Sequence, residues 1–228
     1  MFKYAVNFSK KGKTRFIGHL DLLRLFQRAI NRAALPVARS TGFNPHQLIT
    51  FALPLPLGME GENERADIRA ERFVDEIDMK NRLNRVMPEG IVISRCRAVS
   101  ENEQAVRVTA SLYEITFKDA FADMRATINE TLCADELLVL KKTKKNAAVT
   151  NIRPDIISLS AISDYAVTAL LSAGGERNLK PSLLAAYMAQ RRGADEFDPL
   201  SATYKRIAIY SEVKDHNDSS LARRFLRL

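Results

Sequence analysis

Cysteine is scarce in this chain of 228 residues. Only Cys96 and Cys133 occur, far apart in the sequence and with no CxxC spacing. This count and spacing argue against a disulfide framework, a zinc site or an iron–sulfur site built by this chain alone. The hydrophobic share of 46% leaves ample material for a packed core without such crosslinks. We therefore expect a protein of the reducing cytoplasm that carries no metal and no resident cofactor.

Long apolar runs are also missing. The first residues, 2–8, alternate apolar and polar side chains, whereas a secretory signal needs a positive start and an unbroken apolar stretch. The longest apolar stretch, residues 48–59, is interrupted by Pro54 and Pro56 and is far shorter than the roughly 20 residues of a membrane-spanning helix. The sequence predicts neither export nor a membrane span.

The common catalytic signatures are absent as well. No Walker loop, no GxGxxG after a strand, no HExxH and no GxSxG occurs. These absences count against nucleotide-cofactor enzymes and hydrolases, and they favour a protein without catalytic activity of its own.

Acidic residues are almost missing from the front of the chain. Residues 1–59 contain nine basic residues and one acid, Asp21, a net charge of +8. Residues 60–78 then contain eight acids against three arginines. A segment of one sign attracts polyanions such as nucleic acid. Alternatively, the acidic stretch neutralises the basic one in space.

The periodicity of the first half changes from strand to helix and back. Residues 4–8 alternate with period two, residues 14–17 resume an extended pattern, and residues 19–35 form an amphipathic helix closed by Pro36. Residues 37–41, 47–53, 66–74 and 91–99 read as extended, and Asp78 is the predicted N-cap of a second helix. The order strand, helix, strand, strand, helix, strand is typical of ferredoxin-like domains.

The second half repeats this order less clearly. Strands are predicted over residues 105–118, 137–140, 152–162, 165–171 and 203–213, with helices over 119–132 and 181–191. Residues 221–227 are predicted to form a short amphipathic helix, with Arg223, Arg224 and Arg227 around Leu221, Phe225 and Leu226. The resulting prediction is an α+β protein of two ferredoxin-like halves, residues 1–104 and 105–228, with antiparallel sheets and helices on one face.

Three arginines follow one stripe of the first helix. Arg24, Arg28 and Arg32 are spaced i, i+4 and i+8, on the face opposite the apolar residues. Like charges in a row repel each other, and guanidinium groups bind phosphate through paired hydrogen bonds. The stripe therefore predicts an anion-binding surface, unless it is a solvated face paired with the acids of residues 60–78.

Two histidines flank the basic segment. If His19 and His46 lay together, they could act as a general acid and base for RNA cleavage or as two metal ligands. A histidine at a helix start more often caps the chain, and a loop histidine more often packs. They remain the candidates for catalysis.

Two loops add candidate contacts. Residues 42–46 (GFNPH) offer Asn44 and the ring of Phe43, which could stack on a base or anchor the loop in the core. A lysine-rich turn over residues 141–145 suits phosphate contact without base specificity, or is a solvated hairpin tip. The full predicted RNA or anion surface comprises Arg15, Arg24, Arg28, Arg32, Arg39, Phe43, Asn44, Lys141, Lys142, Lys144 and Lys145.

Several motifs in the first quarter resemble those of the bacterial radical-SAM-linked family. They are residues 15–24 (RFIGHLDLLR), 28–36 (RAINRAALP), 40–46 (STGFNPH) and 51–58 (FALPLPLG), with weaker similarity at 151–155 and 179–181. The resemblance implies a helper that is fused to, or encoded beside, a radical SAM enzyme. The chain has no CxxxCxxC triplet, so it cannot itself bind the cluster that such chemistry requires.

We therefore expect an uncharacterised accessory protein that binds RNA or another polyanion and has a radical SAM protein as its partner. Two alternatives stay open. One is a metal-independent RNA-processing enzyme of the paired ferredoxin-like type. The other is a protein-only scaffold that docks on the radical SAM partner.

Overall fold

A computed structural model describes residues 1–100, 107–142, 147–191, 197–213 and 224–227. Over these ranges the chain divides into two compact units, Met1–Arg107 and Val108–Arg227. Each unit combines α-helices with antiparallel strands. The predicted α+β class is confirmed.

The first unit is built around one central strand. Its elements are β1 (Phe2–Lys10), a 3-10 helical turn (Gly12–Phe16), α1 (His19–Arg32), β2 (Ile49–Phe51), β3 (Glu60–Ala70), α2 (Glu76–Val86) and β4 (Ile91–Val99). Strand β1 pairs antiparallel with β3 on one side and with β4 on the other. The short β2 pairs with β3.

The core of this unit lies between the sheet and both helices. Alternate residues of β1, among them Tyr4 and Phe8, are buried against Phe26 of α1 and Leu83 of α2. The rings of Phe8 and Phe26 meet edge to face with centroids 5.0 Å apart. Both helices therefore contribute to the same core, and the outer face of α1 is left for solvent or a ligand.

Helix α1 begins where its periodicity predicts and ends earlier. The predicted helix covers residues 19–35, whereas the observed helix ends at Arg32. Ala34 has a φ of +49°, a left-handed conformation that stops helical hydrogen bonding. Pro36 then prevents the helix from resuming.

Two predictions in this unit are wrong in detail. Residues 14–17 were expected to be extended, but Gly12–Phe16 forms a 3-10 turn. Asp78 was expected to cap α2, but Asp75 is the N-cap, and its carboxylate accepts hydrogen bonds from the backbone N–H of residues 77 and 78, both at 3.0 Å. Asp78 pairs instead with Arg82 one turn later, at 3.2 Å.

The second unit contains a longer series of strands. Its elements are β5 (Ala110–Phe117), α3 (Met124–Cys133), β6 (Leu138–Lys142), β7 (Ala147–Asn151), β8 (Ile156–Ser163), β9 (Ala166–Ser172), α4 (Pro181–Arg191), β10 (Ala202–Val213) and β11 (Arg224–Arg227). The antiparallel strand order is β10-β5-β9-β8, with β11 on β10. Strands β6 and β7 form a separate two-stranded hairpin.

The predictions for this unit succeed where local signals are strong. Helix α4 occupies the predicted residues, with Pro181 at its first position. Helix α3 starts at Met124 rather than at residue 119, because the side chain of Asp123 caps it by accepting from the Ala126 N–H. The tail prediction is wrong, since Arg224–Arg227 is a strand that pairs with β10; Arg223 lies outside the described residues.

Both cysteines are free thiols. Cys96 lies in the core of the first unit, and burial raises the pKa of its thiol to about 12, so it stays protonated near neutral pH. Cys133 is exposed at the end of α3. Among the helices described, none is long and apolar enough to cross a membrane.

Candidate functional site

The outer face of α1 borders a groove in the first unit. The groove has a volume of about 690 Å³ and is lined by Ile17, Asp21, Leu25, Arg28, Asn31, Arg32 and Pro88. Five of these residues come from α1, and Pro88 comes from the loop after α2. A concave surface that combines apolar side chains with a few polar groups is a candidate ligand-binding site.

A buried lysine holds the start of α1 in place. The Lys10 side chain at the end of β1 is fully buried, and its ammonium donates to the backbone carbonyls of Ile17 at 2.8 Å and Arg15 at 3.3 Å. The Thr14 hydroxyl bonds the carbonyls of Lys11 at 2.7 Å and Gly90 at 3.2 Å. These contacts select the 3-10 turn in place of a strand, and they set the point at which α1 enters.

The three stripe arginines have three different environments. Arg24 forms an exposed ion pair with Asp21 at 3.0 Å, and it does not line the groove. Arg32 lines the groove and donates from Nη2 to the carbonyl of Val86 at 2.6 Å. Arg28 lines the groove, is exposed, and has no hydrogen-bond or ion-pair partner in the described part of the chain. The structure thus brings two of the three arginines to one site.

Arg82 of α2 reaches the end of α1, just as Arg32 of α1 reaches the end of α2, and the sequence does not predict this contact. Arg82 of α2 donates from Nε to the carbonyl of Ala33 at 2.9 Å and from Nη2 to the carbonyl of Ala34 at 2.6 Å. Arg32 and Arg82 therefore each satisfy carbonyls at the C-terminal end of the other helix. The available sequence signal was the presence of basic residues near the C-terminal ends of the two helices. Which carbonyl groups these residues bind depends on tertiary contacts that the sequence does not show.

The acids of residues 60–78 neutralise part of the basic front. Lys3 pairs with Asp67 at 3.3 Å and Lys11 with Glu62 at 3.2 Å, both from β3. The ion pair described for the α1 stripe, by contrast, uses Asp21 of the same helix. Neutralisation by the acidic stretch therefore accounts for Lys3 and Lys11, whereas the ion pair described for the α1 stripe uses no acid of residues 60–78.

Two further predicted anion contacts lie in the same unit. The guanidinium of Arg15 sits over the ring of Phe16, with its carbon 4.8 Å from the ring centroid. Arg39 is exposed at the base of the loop over residues 41–45, where its backbone forms an isolated antiparallel β-bridge with Gln47. Neither side chain lines the groove.

The loop over residues 41–45 is exposed, and hydrogen bonds between Ser40 and His46 close its two ends. The Ser40 N–H donates to the His46 carbonyl at 2.8 Å, and the His46 N–H donates to the Ser40 hydroxyl at 3.1 Å. Phe43 is fully exposed, so it does not anchor the loop in the core. Asn44 is exposed beside it.

The base of this loop is tied to the groove. Gln47 is buried, and its Nε2 donates to the Oδ1 of Asn31 at 2.8 Å. Asn31 is one of the groove residues. The loop that presents Phe43 is therefore held against the helix that carries Arg28 and Arg32.

The two histidines have different partners. The His19 ring meets Phe51 edge to face, with centroids 5.6 Å apart. His46 Nδ1 lies 2.8 Å from the Ser40 hydroxyl. Each ring therefore has a packing or loop-closing role. Within the described ranges, no three His, Cys, Asp or Glu side chains gather as metal ligands would.

The lysine-rich turn belongs to the β6–β7 hairpin of the second unit. Lys141 and Lys142 are the last residues of β6, whereas Lys144 and Lys145 lie outside the described residues. In the described strands of this hairpin, Leu138, Leu140 and Val149 lie on one face, and each is more than half exposed. The hairpin therefore presents an uncovered apolar face next to a lysine-rich sequence.

Comparison with protein families identifies one family that matches most of the chain. Residues 3–181 match the family described as uncharacterized protein conserved in bacteria (DUF2344). The chain belongs to this family. The match extends from β1 to the first residue of α4, so it includes the groove, the exposed loop and the hairpin. No curated protein matches the chain.

Proposed function

We propose that this bacterial protein binds RNA, or another polyanion, through the outer face of α1. The observation that carries the proposal is Arg28, an exposed guanidinium with no acidic partner among the residues that the structure describes, beside Arg32 on the rim of a groove. Arg39 and Lys13 are further exposed basic residues of the same unit. Phosphate groups are the anions that several such side chains bind together.

The protein acts, in this proposal, as a non-catalytic accessory of a radical SAM enzyme in the bacterial cytoplasm. The motif resemblance in the first quarter of the chain supports this partner. The packing of His19 against Phe51 and the hydrogen bond between His46 and Ser40 support structural roles for the histidines. The function is thus to hold a substrate or present it to the enzyme.

We also propose that both units are ferredoxin-like halves. In the first unit β4, β1 and β3 are neighbours, and β2 pairs with β3. The second unit has the order β10-β5-β9-β8. If each unit's sheet strands are numbered along the chain, and the β6–β7 hairpin and the terminal strand β11 are set aside, both orders read 4-1-3-2. This agreement, together with a helix after the first and third strands, supports a repeated architecture with one inserted hairpin.

Steep salt dependence is the expected signature of this function. A single-stranded RNA of about 12 nucleotides should bind at low salt and lose affinity as salt rises, because neutralised phosphates release counterions. With three phosphates contacted, affinity should fall roughly twentyfold between about 50 and about 200 mM salt. Fluorescence anisotropy titrations at the two salt concentrations measure this change.

The same titrations can refute the proposal. No RNA binding at the lower salt, or equal affinity at both concentrations, would exclude a phosphate-binding surface. An uncharged peptide nucleic acid of the same base sequence serves as the control ligand, and it should show no salt dependence.

The hairpin favours a second candidate function, a scaffold that docks on the radical SAM partner. Within the described ranges, its apolar face of Leu138, Leu140 and Val149 is more than half exposed, and faces of this kind mark protein contact sites. The double variant Leu140→Ser and Val149→Ser should abolish co-purification with the enzyme, and the wild-type complex should survive nuclease treatment. A wild-type complex that nuclease dissolves would rule out the scaffold and favour an RNA bridge.

A further inference from the structure

The lining of the α1 groove is more apolar than a phosphate site requires. Ile17, Leu25 and Pro88 contribute its hydrophobic surface, and Arg28 and Arg32 contribute its positive charge. A site for phosphate alone consists of hydrogen-bond donors and cations. A ligand that matches both parts has an apolar ring system joined to an anionic group.

The remaining polar groups suit the edge of a nucleobase. Asn31 accepts the Gln47 hydrogen bond through Oδ1, and its NH2 group makes no hydrogen bond in the part of the chain that the structure describes. The second carboxylate oxygen of Asp21 is not used by Arg24. The groove therefore offers an amide donor and a carboxylate acceptor beside an apolar surface, which is how proteins read an unstacked base.

The exposed loop provides an independent observation. Phe43 is fully exposed, although burying a ring of this size is normally favourable. Its loop is closed by Ser40 and His46 and is tied to Asn31 through Gln47. An aromatic ring held out on a firm loop next to a basic groove is a stacking surface for a neighbouring base.

We infer that the groove takes one unstacked nucleobase, that Arg28 binds the phosphate of the same nucleotide, and that Phe43 stacks on an adjacent base. This inference rests on the proposed function and narrows its ligand to single-stranded RNA. A base inside a duplex is paired and stacked, so it cannot enter the groove. A free nucleotide shares the chemistry of the groove but has no second base for Phe43.

Two matched pairs of measurements test the inference. In competition against a labelled single strand, an unlabelled single strand should be at least about tenfold more effective than a duplex of equal length. Leu25→Gln, which makes the groove polar without changing charge, should weaken single-strand binding about tenfold and leave the salt slope unchanged. Leu23→Gln, on the same helix but outside the groove, is the control and should change affinity less than about twofold.

Phe43→Ala separates the two nucleotide sources and carries no folding risk, because the ring touches nothing in the core. It should weaken single-strand binding about fivefold or more. The alternative outcome is that the wild-type protein binds a nucleoside monophosphate as tightly as it binds a single strand, and that Leu25→Gln loses this binding. A free nucleotide is then the ligand. In that case the base site is correct and the RNA proposal is wrong. Circular dichroism melts confirm that each variant is folded.

Failure of the inference has a distinct result. If single strand and duplex compete equally and Leu25→Gln matches Leu23→Gln, while binding stays steeply salt dependent, the base site is wrong and the polyanion function stands. If neither RNA nor mononucleotide binds at low salt, both are wrong.

Discussion

Arg28→Glu is expected to weaken single-stranded RNA binding by roughly thirtyfold at about 150 mM salt, which corresponds to about 2 kcal/mol. Over the described ranges Arg28 is the groove arginine that makes no hydrogen bond or ion pair, so its substitution removes the proposed phosphate contact and breaks no described contact of the fold. The introduced carboxylate also repels the phosphate that Arg28 is proposed to bind. Fluorescence anisotropy measures the affinity, and a thermal melt should show no loss of stability.

Arg24→Glu is the matched control for this prediction. It makes the same charge change on the same helix, but Arg24 is paired with Asp21 and does not line the groove. Exposed ion pairs contribute about 0–1 kcal/mol, and solvent and salt screen a charge that does not line the groove. The expected loss of affinity is less than about threefold. Equal losses in the two variants would show that net charge alone matters, and the groove would lose its assigned role.

Lys10→Met is expected to destabilise the protein by about 3 kcal/mol, the largest stability effect among these variants. Methionine keeps the length of the side chain but removes the ammonium that donates to the carbonyls of Ile17 and Arg15. These hydrogen bonds come from a charged donor in a fully buried position, where a lost partner is costly. Urea unfolding monitored by circular dichroism measures the change in the free energy of unfolding.

Lys13→Met provides the comparison, because Lys13 is exposed in the same 3-10 turn. Its effect should stay within about 0.5 kcal/mol. A loss below about 1 kcal/mol for Lys10→Met would mean that the turn is held by Thr14 and its contacts with the loop at Gly90, and that the buried lysine is dispensable.

The helices and central strands could be predicted because their signals are local. The apolar residues of α1 recur at helical spacing, and Pro181 marks the first turn of α4. The 3-10 turn could not be predicted, since it depends on contacts of Lys10 with Ile17 and of Thr14 with Gly90. The strand Arg224–Arg227 alternates weakly, and its conformation comes from pairing with β10.

The candidate site was predictable in composition and not in geometry. Spacing alone makes Arg24, Arg28 and Arg32 equivalent, and it cannot tell that the first pairs with Asp21 while the last reaches Val86. Leu25 and Pro88 carry no sequence signal for a binding groove, because an apolar helix residue and a loop proline are ordinary. Only the folded arrangement shows that they share a surface with Arg28.

Arg32 and Arg82 each donate hydrogen bonds to the C-terminal end of the other's helix, so under the proposed function anion binding affects helix order. Arg32 lines the groove, and the same guanidinium closes the end of α2 at Val86. An anion that draws Arg32 away from that carbonyl leaves the last turn of α2 open to fraying, whereas one that adds to the existing bond clamps both helix ends. Under the proposed function, an anion that occupies the groove therefore changes the order of the last turn of α2.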